Sequence, residues 1–560
     1  MVKNIIKLLN REISGLHEAA YLLGGFALLS HLLALLRDRS LAHFFGAGEM
    51  LDIYYASFRI PDFIFITVAS IVSISVLIPF LAERESKERN GSSEEEFINS
   101  IFTSFFLFIV VVSGAVFFFI PFIIGRVFPG FDESAITETI SMTRILLLSP
   151  ILLGLSNLFA SIIQLNKKFL VFAMSPILYN LGIIFGIFFF YPMFGLKGLV
   201  FGVVLGALLH LLIQVPVAFE IGLVPKFTTK INFKDVKKVA LLSFPRTLTM
   251  SANQIAFFFL VGLASSIGAG AISVFNLSFN LQSVPMSIIG VSYSVAAFPT
   301  LAKLFSKGET DKFLAQIISA ARHIIFWSFP ALVMFIVLRA QIVRTVLGTG
   351  EFDWSDTRLT AACLALFAFS VVAQSLILLF VRGYYAMGNT KKPLLINVIS
   401  SLSIIFFSFA LIWMFKNIDL FKYFIESMFR VEGIGSTSVL MLALGYSLGV
   451  VLNASVLTVM FQKEFKGFVS SIAKTFWNSL SASIVMGFAS YKALGFFGGF
   501  LDLDTVAGIF LQGLFAGLFG ILVGIIVLML LKNGEIKEIR NALNRRIWKS
   551  GVVIPEKREL

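Results

Sequence analysis

Apolar runs close to the length of a bilayer crossing recur along this 560-residue chain and leave it few folds to choose from. A spanning helix needs about 20 apolar residues, because a backbone N–H or C=O left unpaired in hydrocarbon has no water to turn to. By that measure roughly fourteen spans are expected. They fall at 17–37, 51–82, 99–125, 139–164, 169–191, 196–219, 239–265, 271–303, 313–338, 357–386, 393–415, 435–461, 469–494 and 504–531, with Pro192 and Gly195 marking a tight turn inside 169–219. Hydrophobic residues are 58% of the chain and charged residues 14%, where a soluble domain is about a quarter charged. The expected fold class is therefore all-α and polytopic. A net charge of +13 would suit nucleic acid on a soluble surface, but these basic residues collect in short loops between apolar runs. That pattern reports topology, and no nucleic-acid partner is expected.

The lysines and arginines orient the spans. With the N-terminus in the cytoplasm, the inner set is Lys3 and Lys7, Arg84-Lys87-Arg89, Lys167-Lys168, Lys226 through Lys238, Lys303-Lys307-Lys312, Lys391-Lys392, Lys463-Lys466 and the tail from Lys532 to Arg558. The outer set is sparse: Arg126, Lys197, Arg344, Lys416, Lys422, Arg430 and Lys492. An even number of spans then puts both termini inside. The opening residues read as a retained amphipathic lead-in, and the tail after Lys532 as a short basic amphipathic helix on the cytoplasmic face.

Ionisable residues inside this apolar framework point to function. From Ser30 to Glu83 two apolar runs meet at the turn Gly46-Ala47-Gly48, which is flanked by Arg37, Asp38 and Arg39 on one side and by Asp52 and Arg59 on the other. Asp52 and Arg59 stand seven residues apart, which is about two helical turns and one shared face. Pro61 follows and should bend that helix. A charge in a spanning segment faces a partner or a cavity. The plain alternative puts these groups at the membrane edge, with Arg37 and Arg39 snorkelling and Asp52 capping a helix. The edge is preferred for Arg39, and a buried polar site for Arg37, Asp52 and Arg59.

The chain also repeats itself. Gly46–Pro61 (GAGEMLDIYYASFRIP) is echoed by Gly268–Pro285 (GAGAISVFNLSFNLQSVP), and IPFLAERES at Ile78–Ser86 by FPTLAKLFS at Phe298–Ser306. An offset near six spans implies a parallel repeat, two six-span lobes related by an axis along the membrane normal. The expected organisation is an N-lobe at 1–220, a linker at 221–238, a C-lobe at 239–461, extra helices at 469–531 and a basic tail at 532–560. Across the repeat Arg59 aligns with Asn280, and Asp52 with an apolar residue near Val274.

The stretch LLRDRSLAHFFGAGEMLDIYYASFRIP resembles the opening signature of the lipid II flippase (MurJ/MviN) family, within the multidrug/oligosaccharidyl-lipid/polysaccharide exporter superfamily. Further landmarks follow in order: Phe275–Leu304, GTGEFDWSDT at Gly348–Thr357, VRGYYAMGNTKKP at Val381–Pro393 and ALGYSLGVVLNAS at Ala443–Ser455. The resemblance covers about residues 20 to 530. It implies two lobes plus two helices that form a groove for an undecaprenyl tail. It also implies alternating access that carries the lipid-linked peptidoglycan precursor from the inner to the outer leaflet of a bacterial cell membrane. Arg37 takes the place of a family arginine that meets the diphosphate, Asp52 that of an essential acid, and Arg59 that of a basic residue in the second span. His31 and Asn280 stand where the family often has arginines, and Phe65 and Ile66 replace a basic pair, so the resemblance implies a less cationic cavity here.

Arginine suits such a headgroup because its planar fork donates paired, charge-assisted hydrogen bonds to phosphate. Substrate contacts are expected at Arg37, Asp52, Arg59, His31 and Asn280, with Asp52 positioning an arginine or gating by ion pairing; His31 could supply charge if protonated, though a hydrogen-bonded packing role is preferred for it. Gating or hinge positions are expected at Gly46, Gly48, Pro61 and Pro285, and close helix approach at Gly202 and Gly206. Arg144, Arg246, Arg322 and Arg382 read as snorkelling side chains; Asn180, His210, Gln214, Asn253, Gln254 and Gln374 read as interhelical hydrogen-bonding residues. With no P-loop, one cysteine and no metal-ligand spacing, neither a cofactor nor catalysis is expected. The apolar cores of spans 7 to 12 hold no Asp or Glu, which leaves amides such as Asn397, or Asp52, for a coupling ion, or else the membrane potential acting on the lipid. Membrane lipids and cell-wall synthesis enzymes are the further partners considered. The alternatives are an exporter of another undecaprenyl-linked oligosaccharide, a multidrug/cation antiporter, a non-transporting scaffold and a lipid transferase.

Overall fold

A computed structural model describes residues 16–68, 92–166 and 168–536. The lead-in, Arg84-Lys87-Arg89, the Ile78–Ser86 half of the second repeat motif, Lys167, the end of the span expected at 51–82 and the tail helix lie outside the described residues, as does the Arg246 side chain. Every regular element among the described residues is helical. Among the described residues eleven helices are long and apolar enough to cross a membrane, or twelve when Trp354–Ala368 and Ser370–Ala386, bent by 42°, count as one span. These twelve correspond one to one with the expected spans from 99–125 onwards. The helix Leu16–Phe45 covers the span expected at 17–37, and Glu49–Ser57 with Arg59–Val68 opens the next. Large apolar side chains lie open on the outside, among them Phe118 at 78% and Leu530 at 76% exposure. That surface suits lipid and not water.

The chain divides into two compact units. The first holds the described residues of Met1–Val284, Val343–Phe367 and Asn389–Asn453. Inside it Leu16–Phe45 packs on Phe169–Phe185, which in turn packs on Leu196–Leu212. Glycine explains that second contact: a Cβ on Gly182 would meet the Gly206 Cα at 2.3 Å, and one on Gly186 the Gly202 Cα at 2.5 Å. Such close approach is what small-residue pairs permit. The Gly195 turn is present, with φ 60, between Tyr191–Phe194 and Leu196–Leu212. An aromatic core of Phe257, Phe275, Phe279, Phe367 and Tyr446 fills the space where Phe233–Ser265 and Lys391–Asn417 meet their neighbours.

The second unit holds Pro285–Ile342, Ala368–Gly388 and the described residues of Ala454–Leu560. Phe468–Gly498 packs there against Val506–Leu530 and Thr310–Val337, around Phe326, Ala482 and Leu528. Phe380, Tyr384, Phe461 and Phe468 form a second aromatic group.

Two proline sites shape the helices. The chain expected to bend at Pro61 instead breaks three residues earlier, at Phe58, between Glu49–Ser57 and Arg59–Val68. The reason is local: Pro61 has no N–H, so the carbonyl four residues back, Ser57, loses its helical donor. The Thr143 hydroxyl donates to that carbonyl at 3.3 Å and both groups are buried. Pro285 lies inside Ala271–Met286, directly before a π-helical turn at Ser287–Val291.

Candidate functional site

The helix Ala271–Met286 begins with a deficiency. Its N-cap position is Gly270, which has no side chain to satisfy the free amides of a helix start. Asp52, from the first copy of the repeat, fills the gap. The Gly270 N–H donates to Asp52 Oδ2 at 2.7 Å, and the Ser273 N–H and hydroxyl donate to Oδ1 at 2.7 and 2.6 Å. The carboxylate is 2% exposed, and it lies where the helix dipole favours an anion. The expected edge cap and the expected buried site are thus one arrangement: Asp52 caps a helix, but one from the other repeat and in the interior. Its partners are amides and a hydroxyl, not the arginine that the sequence suggested.

The same helix carries two further polar contacts. Arg59 Nη2 donates to Asn276 Oδ1 at 3.1 Å, Nε donates to the Tyr55 carbonyl at 3.1 Å, and the guanidinium lies 5.1 Å from the Phe257 ring centre. Asn280 Nδ2 donates to Asp38 Oδ2 at 3.0 Å. Ser273, Asn276 and Asn280 are three and four residues apart, so they line one helical face and meet Asp52, Arg59 and Asp38 in turn. Because the helix breaks at Phe58, Asp52 and Arg59 reach the seam from two separate segments and not from one continuous face.

Arg37 is held at the far end of this seam. Its Nε and Nη2 donate to Asp38 Oδ1 at 2.9 and 2.8 Å, and Nη1 donates to Asn180 Oδ1 at 3.2 Å. Its side chain keeps 21% of its surface exposed, against 5% for Asp38. His31 lies half-buried on the same helix, and Phe65 and Ile66 are half-buried beyond the break. Asn180 does link helices, also donating to Ser30 Oγ at 3.4 Å.

A clasp of backbone contacts surrounds the Gly46-Ala47-Gly48 turn. The Ala47 N–H donates to Asp356 Oδ2 at 3.0 Å, and the Glu351 N–H to the His43 carbonyl at 3.0 Å. Gly46 has φ 57, and a Cβ there would sit 2.7 Å from the Glu351 carbonyl oxygen. Gly270, at φ 83, would carry a Cβ 1.9 Å from the Ala47 carbonyl oxygen. The two glycine turns of the repeat therefore lie against each other. Gly48 is extended, at φ −115, and its carbonyl accepts from the Asp52 N–H at 3.0 Å. Arg39, expected at the membrane edge, donates from Nη1 to the Thr345 and Val346 carbonyls at 2.6 and 3.0 Å. These carbonyls end the helix Arg339–Leu347, where a cation is favoured.

Sequence reasoning passed over Asp38 and Asn276. The signal for both is present in the chain: a lone carboxylate between two arginines, and polar residues at helical spacing along an otherwise apolar run. The interhelical residues fit expectation better. Gln214 Nε2 donates to Ser156 Oγ at 2.6 Å and Ser175 Oγ at 3.2 Å, and Ser156 Oγ lies 2.7 Å from His210 Nδ1. Arg144 and Arg322 are tied to backbone, to the carbonyls of Phe117 and Ser471. At Asn397, Oδ1 accepts from Asn453 Nδ2 at 3.0 Å, and the nearby Ser401 hydroxyl reaches Asn253 Oδ1 at 3.5 Å. Among the described residues no group of three or more His, Cys, Asp and Glu could hold a metal ion.

The family model "Lipid II flippase MurJ" matches residues 41–511. The chain belongs to the lipid II flippase family. Asp52, Arg59, Asn276 and Asn280 lie inside the matched region; Arg37 and Asp38 lie just ahead of it. The lipid II flippase of Burkholderia cenocepacia is 24% identical over 396 residues, 68% of this chain and 76% of that protein. A probable lipid II flippase of Buchnera aphidicola is 29% identical over 374 residues, 66% of this chain and 72% of that protein. Among solved structures, a lipid II flippase in an inward closed conformation superimposes with a TM-score of 0.71 over 93% of this chain and all of its own, at 22% identity. An inward-facing multidrug resistance MATE family transporter of the MOP superfamily gives a TM-score of 0.61 over 79% of this chain and 96% of its own, at 16% identity. These likenesses establish a flippase-family transporter fold, and with the apolar helices they make the chain a multi-pass protein of the inner membrane.

Proposed function

We propose that this flippase-family chain moves lipid II, the undecaprenyl-diphosphate-linked precursor of peptidoglycan, from the inner to the outer leaflet by two-lobed alternating access, without covalent chemistry. The observation that carries the reading is the seam along Ala271–Met286, where Asp52, Arg59 and Asp38 meet Ser273, Asn276 and Asn280. With both termini cytoplasmic, the Gly46-Ala47-Gly48 turn and Gly270 lie at the outer end, so the seam is the contact that closes that end and must part to release cargo. A headgroup with two phosphates needs a cationic partner in a wet cavity. Arg37 is the arginine with surface to offer: when the seam parts, its fork exchanges Asp38 for diphosphate. Arg59, enclosed by Asn276, Tyr55 and Phe257, acts as a gating cation.

Asp52 works by making and breaking the cap on Gly270 and Ser273. For the driving force we favour the membrane potential acting on the anionic lipid, since Asn253, Asn397, Ser401 and Asn453 offer a cation neutral oxygens but no carboxylate. Cell-wall synthesis enzymes that use the exposed precursor are the protein partners this reading implies.

The test is replacement of the resident flippase in depleted bacteria, with lipid II on the outer leaflet measured by an added enzyme that cleaves it. The wild-type chain should restore exposure, and Arg37→Ala and Asp52→Ala should lose it. Wild-type protein that reaches the membrane yet exposes nothing would overturn the reading and make another undecaprenyl-linked saccharide the substrate to test.

A further inference from the structure

The second unit carries a cationic pocket outside the transport seam. It is an open groove of about 540 Å³ where the apolar run Ala271–Ser306 ends and the next, Thr310–Val337, begins. Lys303, Lys307 and Lys312 line it together with Thr300, Glu309, Pro299 and Leu304. All three lysines are exposed, as is the neighbouring Asp311. Lys312 Nζ pairs with Glu309 Oε2 at 2.9 Å; among the described residues Lys303 and Lys307 have no ion pair. The Glu309 carboxyl is held below its ordinary range first by its hydrogen bond from Lys312, then by the charges of Lys312, Lys307 and Lys303. One carboxylate therefore pairs with one lysine and feels the charge of two more. The start of Thr310–Val337 adds the positive end of a helix dipole with no side-chain cap on its amides.

An apolar track leads to this pocket. Along the same run Ile288 is 55% and Val295 47% exposed, and Pro299 continues the line to Lys303. Cations at the end of an apolar face, at the edge of a membrane span, match a molecule with a phosphate at one end and hydrocarbon at the other.

We infer that this pocket binds the phosphate group of a membrane lipid, with the acyl or prenyl chain lying along Ile288, Val295 and Pro299 and with Glu309 competing for the lysines when the pocket is empty. The inference stands apart from the transport reading, because it needs only a pocket at the end of two membrane helices. Phosphatidylglycerol and a polyprenyl phosphate share this chemistry, and binding separates them.

The measurement is native mass spectrometry of the full chain in detergent. The probes are phosphatidylglycerol, phosphatidylcholine as the zwitterionic comparison and undecaprenyl phosphate, each with and without excess inorganic phosphate. The triple variant Lys303→Gln, Lys307→Gln, Lys312→Gln should weaken retention of the preferred anionic lipid by at least about tenfold, whereas Lys463→Gln with Lys466→Gln should leave it unchanged. Glu309→Gln should tighten retention, a gain that misfolding does not produce. Loss confined to phosphatidylglycerol assigns the pocket to a bulk phospholipid, and loss confined to undecaprenyl phosphate assigns it to the prenyl class. Displacement by inorganic phosphate in either case shows that the phosphate itself is what is held. Equal retention by wild type and triple variant, an equal loss in the control pair, or weaker binding by Glu309→Gln would overturn the inference.

Discussion

The carboxylate of Asp52 accepts the N–H of Gly270 at 2.7 Å across 218 residues of sequence. One side chain thereby ends one helical segment's isolation and begins another's hydrogen-bond ladder. Asp52→Ala should leave the Gly270 and Ser273 amides buried without an acceptor, which costs roughly 1–3 kcal/mol. Asp52→Asn keeps a single acceptor oxygen and should lose less. Thermal unfolding in detergent should rank them wild type, Asn, Ala; equal midpoints for all three would remove the cap from the account of this seam.

Arg59 and Asn276 form the next contact. Their double-mutant cycle, with Arg59→Leu and Asn276→Leu, should give a coupling of about 1 kcal/mol. Arg59→Lys keeps the charge but not the fork that reaches both Tyr55 and Asn276, so it should behave more like Arg59→Leu than like wild type in precursor exposure. A fully active lysine variant would count against the gating role.

Gly270→Ala places a Cβ against the Ala47 carbonyl on a backbone with φ 83. Gly48→Ala, on extended backbone, brings a Cβ within 3.2 Å of the Phe45 carbonyl oxygen only. The first should hold the two glycine turns apart and expose cysteines introduced beside them to a membrane-impermeant thiol reagent in intact cells; the second should not. Similar labelling in both variants would show that the turns are not the barrier.

Thr143→Val should destabilise by roughly 1–2 kcal/mol through the orphaned Ser57 carbonyl. In a Pro61→Ala background the residue at 61 regains an N–H for that carbonyl, and Thr143→Val should then be nearly neutral. Denaturation midpoints of the four proteins decide it, with simple additivity as the contrary result.

Much of this was legible in the chain. Spans follow from run length, because hydrocarbon leaves a backbone no option but the helix. The burial of Asp52 and Arg59 among polar partners agrees with the expectation of a buried polar site, drawn from charge placed where charge is disfavoured. Partners are a different matter: Asp38 meets Asn280 across 242 residues and Arg37 meets Asn180 across 143, and no periodicity encodes which helix faces which. The carbonyls at 345 and 346 that Arg39 meets are invisible from its own neighbourhood for the same reason. The break at Phe58 was misplaced because a proline's effect falls on the carbonyl four residues back, and its outcome depends on whether a donor such as Thr143 waits there.

The seam's hydrogen-bonded ionisable groups carry an electrical consequence. Arg37 and Arg59 are matched in number by Asp38 and Asp52, so these four together hold no surplus of either sign for a field to pull on. A bound diphosphate would break that balance. On the proposed transport reading, the voltage across the membrane would act on the loaded carrier through its cargo and not through these four groups.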